Sequence, residues 1–114
     1  MTPTASAEVF DPATSRFTSV GNMSVARVSH GAARTSLAGN QVLVAGGDTA
    51  FSGPASASVD LFDPATGLFT AAVETLRQAR SHHTVTMMSN GRILFFGGRG
   101  PTTPLTTEMS KIMN

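Results

Sequence analysis

The sequence predicts an all-β chain built from repeated antiparallel strands, and three observations predict it. First, the stretch SVDLFDPATGLFT, Ser58 to Thr70, has a near copy in SAEVFDPATSRFT, Ser6 to Thr18, so that Glu8 and Asp60 are matched at an offset of 52 residues. Similarity over that length points to a modular architecture. Second, only 13% of the residues are charged, against roughly 25% in ordinary soluble domains. Ser, Thr, Gly and Ala are abundant instead, which suits short strands and tight turns better than helices. Third, apolar residues alternate with polar ones at a period of two in the first copy, Ala7 and Val9 on one face and Ser6, Glu8 and Phe10 on the other, the period of a strand.

Each copy reads as a hairpin. After the alternating strand comes Asp-Pro-Ala-Thr, in which Pro12 or Pro64 presets φ at the second turn position and the carboxylate of Asp11 or Asp63 accepts local backbone N–H groups. Gly67 reaches positive φ easily, whereas Ser15 fills the same position less comfortably. A second strand then carries Phe17 or Phe69, which closes an antiparallel pair.

A second pattern recurs between and after the hairpins. Arg27-Val-Ser-His30 matches Arg80-Ser-His-His83 at an offset of 53. Short strands follow, His30 to Ser36 and His83 to Met88, each leading into a turn: Gly39-Asn40 in the longer loop from Leu37 to Gln41, and Asn90-Gly91 in the later copy, the strongest short hairpin signal. Val42-Leu-Val-Ala-Gly-Gly47 and Ile93-Leu-Phe-Phe-Gly-Gly98 come next. Four consecutive apolar residues suit a strand covered on both faces, and the pairs Gly46-Gly47 and Gly97-Gly98 suit a close approach of backbones or a bulge. Polar loops follow, Asp48 to Ala57 and Arg99 to Thr106. Thr107-Glu108-Met109 then starts a third copy, Glu108 taking the place of Glu8 and Asp60, but Ser110-Lys111-Ile112 replaces Phe-Asp-Pro.

Arg-x-x-His, an apolar strand closed by Gly-Gly, a loop, and an acidic-apolar-Phe-Asp-Pro-Ala-Thr hairpin ending in Phe-Thr together resemble the kelch repeat. The pattern is similar to the bacterial variety in propellers related to the central domain of galactose oxidase. The resemblance covers about Ala7 to Met109, and its specificity lies in the order of the elements recurring twice. It implies four-stranded antiparallel blades set radially, with the strand after Arg-x-x-His innermost and the Phe-Asp-Pro hairpin outside. On that mapping residues 7–20 are the outer hairpin of one blade, 28–73 a complete blade and 83–111 a partial one. The aromatic that is often Trp in these repeats is Phe17 or Phe69 here, and the chain has no Tyr. Propellers have about 4 to 8 blades, so roughly two blades amount to a partial ring. The expectation is a piece of a larger propeller, with remaining blades in cis or other copies in trans.

The chemistry-bearing residues read mostly as framework. His82 and His83 are adjacent and point to opposite faces of a strand, so they do not share an ion, and no metal site is expected from these or from His30. Arg27 and Arg80 fit a structural role in which each guanidinium bonds carbonyls or a carboxylate on a neighbouring strand. Asp11, Asp63, Pro12 and Pro64 are turn chemistry. Candidate ligand contacts are Arg34, on the presumed innermost strand, Asp48 and Arg99 in the loops after the Gly pairs, and Arg80.

The resemblance and the loops imply a non-catalytic binding or scaffold module for a protein or glycan ligand. Two alternatives stand beside it: the propeller portion of a secreted galactose-oxidase-like enzyme whose active site lies outside this chain, and a truncated, non-functional reading frame. The copper-radical chemistry of that oxidase family needs a Tyr cross-linked to a Cys, and both types are absent, so it does not reside in these residues. There is no Gly-x-Ser-x-Gly elbow, and no cofactor is expected. A net charge of +1 supports neither a nucleic-acid nor a membrane partner. The chain shows no signal peptide of its own and no apolar run near the ~20 residues of a membrane helix. Its compartment is left open.

Overall fold

The computed structural model describes residues 2–36, 40–50, 54–101 and 108–109. Residues 1, 37–39, 51–53, 102–107 and 110–114 lie outside the described residues, and with them parts of the loops expected at 37–41, 48–57 and 99–106 and the end of the partial blade expected over 83–111. Among the described residues every regular element is a strand and every pairing is antiparallel. Among the described residues no helix is long and apolar enough to cross a membrane.

The strands form three separate sheets that do not close on one another. The first is the hairpin β1 (Glu8–Asp11) and β2 (Arg16–Ser19); the second runs β3 (Gly31–Arg34), β4 (Val42–Ala45), β5 (Val59–Asp63), β6 (Leu68–Ala71) in sequence order; the third is β7 (Thr84–Met87), β8 (Ile93–Phe96), β9 (Glu108–Met109). Strands consecutive in the chain are neighbours in each sheet, which makes each sheet a simple meander.

The matched segments fold alike in detail. The Asp11 and Asp63 carboxylates each accept the backbone N–H two residues on, Ala13 and Ala65, at 2.9 Å. Ser15 and Gly67 both take positive φ, 57° and 72°, so the serine adopts the strained turn conformation that glycine adopts at little cost. Phe10 stacks on Phe17 as Phe62 does on Phe69, with ring centroids 4.9 Å apart and planes tilted by 48° in both pairs. Asn40 and Gly91 are likewise both at positive φ in their turns.

Stacking between sheets builds the core. Cross-strand neighbours share a face, so the register puts Gly31, Ala33, Leu43, Ala45, Val59 and Leu61 on one face of the second sheet. Leu43, Ala45 and Val59 are buried there in one cluster with Ile93 and Phe95 of the third sheet and Leu76, with Val85 packed against it. A β-carbon on Gly31 would collide with the Val85 side chain, so glycine sets how closely β3 and β7 approach. The opposite face of the second sheet carries Val42, Val44 and Phe62 and meets the first hairpin, where Val9, Val20 and Phe69 help line a groove of about 230 Å³.

The expectation that both Gly-Gly strands are covered on two faces holds for β4 and only half holds for β8. Ile93 and Phe95 are buried, whereas Phe96 on the other face is 41% exposed. The reason is positional: no sheet among the described residues lies beyond the third one. At the other end, Phe10 and Phe17 are 48% and 68% exposed, while their match Phe62 is 8% exposed beneath the first hairpin.

Candidate functional site

Arg27 is the centre of a buried polar cluster. Arg27 Nη1 donates to the carbonyls of Gly46 (2.9 Å) and Ser58 (3.1 Å), and Nη2 donates to Ser58 Oγ (3.1 Å) and Asp60 Oδ2 (3.0 Å). The same Asp60 oxygen accepts the Ser24 backbone N–H at 2.9 Å. Both side chains of this ion pair are fully buried. Burial draws the Arg27 pKa below its ordinary value while Asp60 pulls it back up, and arginine stays charged under either influence. The fork of the guanidinium therefore ties the end of β4, the entry to β5 and the segment before β3 into one unit.

Arg80 occupies the matching place. It is fully buried and donates to the carbonyl of Gly97 at 3.3 Å and to Gln78 Oε1 at 3.4 Å, so the bond to the first Gly of the pair recurs. Glu108 holds the register position of Asp60: Phe95 pairs with Glu108 as Val44 pairs with Asp60. Arg80, named from the sequence both as framework and as a ligand candidate, thus sits inside the framework.

The Gly pairs and the histidines form the joint between the second and third sheets. Gly46 and Gly47 have φ of 72° and 94°, and β-carbons there would come within 2.5 Å of the Arg80 carbonyl oxygen and 2.8 Å of the Val28 carbonyl oxygen. Gly98 meets the Ser81 carbonyl and the His83 β-carbon as Gly47 meets the Val28 carbonyl and the His30 β-carbon. Gly97 has open space around it among the described residues, in keeping with the uncovered face of β8. Backbone bonds across the joint include Gly47 N–H to the Arg80 carbonyl (2.9 Å), His82 N–H to the Ser29 carbonyl (2.8 Å) and Arg80 N–H to the Ser56 carbonyl (3.2 Å). Ser29 and His82 are themselves matched, and both take positive φ.

The remaining candidates lie after the Gly pairs and at the end of β3. Asp48 pairs backbone to backbone with Val28, and Arg99 with Ser81, in equivalent bridges. Their side chains then meet: Arg99 Nη2 lies 3.2 Å from Asp48 Oδ2, with the aspartate side chain 4% exposed and the arginine 65% exposed. Arg34 is exposed at the end of β3, donating to Asn40 Oδ1 at 2.7 Å. No group of three His, Asp or Glu side chains placed to hold a metal occurs among the described residues.

The pKa of His30 is lowered from its ordinary value, first by burial and second by the Arg27 charge. Its folded pKa lies below its unfolded one, so the unfolded chain binds more protons and stability rises with pH across that interval. This contribution is complete above about pH 6.5 and is lost as pH falls below it. Thermal melts between about pH 7.5 and about pH 5 are expected to show a falling midpoint, and His30→Gln is expected to flatten that dependence.

Sequence reasoning missed Asp60 as the carboxylate under Arg27, although the recurrence of an acid at Glu8, Asp60 and Glu108 was the available signal. It also missed that Asp48 and Arg99, matched positions of opposite charge, face one another. No family model matches the chain, and no curated protein is significantly similar to it.

Proposed function

We propose that this chain is a non-catalytic binding or scaffold module made of kelch-type propeller blades, which contacts a protein or glycan through the loops after its Gly-Gly strands. The reading is supported by four-stranded and three-stranded meanders in matched order, by the recurring bond from the Arg of Arg-x-x-His to the first Gly of the pair, and by face-to-face stacking. The single observation that carries the binding role is the Asp48–Arg99 pair. Equivalent backbone positions in an otherwise repeated framework hold different, chemically active side chains, and Arg99 presents most of its surface to solvent. Variation of side chains on a repeated scaffold is how loops acquire ligand contacts. An arginine fork anchored on a buried carboxylate suits the hydroxyl and carboxylate groups of an acidic glycan or peptide.

The test is an array of neutral and acidic glycans probed with the labelled chain and with Arg99→Ala. The expected result is binding to acidic members that falls several-fold in the variant while the melting midpoint is unchanged. Equal binding by both proteins, or none by either, contradicts the proposal.

A further inference from the structure

The turn between β7 and β8 sets an asparagine directly before a glycine, Asn90-Gly91. Met88 N–H donates to the Arg92 carbonyl at 2.7 Å and Gly91 N–H to the Met88 carbonyl at 3.0 Å, so Ser89, Asn90 and Gly91 form a short hairpin loop. Gly91 takes a φ of 86°, which glycine adopts at little cost. Asn90 is exposed, and its side chain folds back over the turn, where Oδ1 accepts the Arg92 backbone N–H at 3.0 Å.

That last bond bears on the reactivity of the side-chain amide. Asparagine Cγ is an electrophile, and the backbone nitrogen of the following residue reaches it by closing a succinimide ring. Negative charge collects on Oδ1 as that nitrogen attacks. The Arg92 N–H is already aimed at this oxygen, in the way a preorganised donor stabilises an oxyanion. The attacking residue is glycine, which has no β-carbon to crowd the approach.

From this arrangement we propose that Asn90 is a site of spontaneous covalent modification, at which the folded chain converts its own asparagine to aspartate and isoaspartate. The Gly91 N–H leaves the Met88 carbonyl and loses its proton, a step that needs only local opening of a hairpin tip. The Gly91 nitrogen then bonds to Asn90 Cγ, the Cγ–Nδ2 bond breaks, and Nδ2 departs as ammonia with the proton that Gly91 gave up. Water opens the ring at either carbonyl. Attack at the side-chain carbonyl leaves aspartate, and attack at the main-chain carbonyl leaves isoaspartate, with water the sole co-reactant.

The product places a carboxylate in the turn and takes the formal net charge of the chain from +1 to zero. Isoaspartate also routes the main chain through the side-chain carbon, which lengthens the loop beside the Met87↔Ile93 pair. Ile93 is fully buried, so the longer loop acts on the edge of the core. The site precedes β8, whereas Arg99 follows it, and the proposal is independent of the binding reading.

Two other asparagines among the described residues supply the comparison. Asn22 is exposed and is followed by Met23. Asn40, in the matched β3–β4 turn, is exposed, is followed by Gln41 and has its Oδ1 held by the Arg34 guanidinium at 2.7 Å. In both, the attacking nitrogen belongs to a residue with a bulky side chain.

The test holds the full chain for days in mildly alkaline buffer made with heavy-oxygen water, and follows it by ion exchange and peptide mass mapping. Asn90 is expected to convert many-fold faster than Asn22 or Asn40. Its product should carry one heavy oxygen and contain both aspartate and isoaspartate, the latter detected by an isoaspartyl methyltransferase. In Asn90→Gln, whose longer side chain closes this ring poorly, the acidic species is expected to disappear. Conversion of Asn90 no faster than that of Asn22 and Asn40, a product without isoaspartate, or an undiminished acidic species in Asn90→Gln overturns the proposal.

Discussion

Asp60→Ala is expected to lower stability by about 3–5 kcal/mol, the usual cost of removing one partner of a fully buried ion pair. The aspartate side chain is inaccessible to solvent and receives both the Arg27 guanidinium and the Ser24 amide on one oxygen. Its loss leaves the Arg27 charge in the interior with only neutral acceptors. The pair itself adds little net stability, because desolvating two ions offsets most of their attraction, and Asp60 Oδ1 and Arg27 Nε have no hydrogen-bond partner among the described residues. The double substitution Arg27→Met with Asp60→Leu is therefore expected to recover most of the loss. Asp63→Ala, which removes one turn hydrogen bond at 2.9 Å, should cost only about 1 kcal/mol. Urea denaturation of the four proteins checks this, and an Asp60→Ala cost no larger than that of Asp63→Ala contradicts it.

Gly46→Ala should be far more damaging than Gly97→Ala. The two glycines are matched, each the first of its Gly pair, with nearly equal φ of 72° and 76°. Alanine in that left-handed conformation costs roughly 1–2 kcal/mol at either site. At Gly46 the new methyl also meets the Arg80 carbonyl oxygen and His83 Cε1, each at 2.5 Å, whereas at Gly97 it meets nothing within 4 Å. The carbonyl is backbone and cannot swing aside, so overpacking adds about 1–3 kcal/mol at Gly46 alone. The difference between the two variants isolates the joint between sheets from the shared backbone strain. Equal effects would mean that the second and third sheets are not pressed together at this point.

The sequence carried most of the framework because its information is local or repeated. Asp-Pro-Ala-Thr specified a turn through proline geometry and an aspartate acceptor, and Ser15 revealed its awkward φ once set beside Gly67. The all-β, antiparallel character followed from alternation and turn residues in the same way. Pairings between distant residues were harder to read. Nothing local to Asp60 says that it lies under Arg27, 33 residues away, and nothing local to Asp48 says that it meets Arg99. Those contacts depend on the register of β4 against β5 and on the stacking of two sheets. The half-exposed state of β8 was hidden for a related reason: four apolar residues in a row predict two covered faces, and whether a second cover exists depends on a neighbouring sheet.

The second and third sheets are joined through the Arg-x-x-His and Gly-Gly segments and are expected to unfold as one cooperative unit. Native-state hydrogen exchange at the amides of Gly47 and His82 tests it most directly, because these two groups donate across the joint to Arg80 and Ser29. Both are expected to exchange only through global unfolding, with the same free energy as the buried β4 and β8 amides of Val44 and Phe95. Exchange of Gly47 and His82 at the rate of exposed loop amides, while Val44 and Phe95 remain protected, would show sheets that fold side by side without being joined.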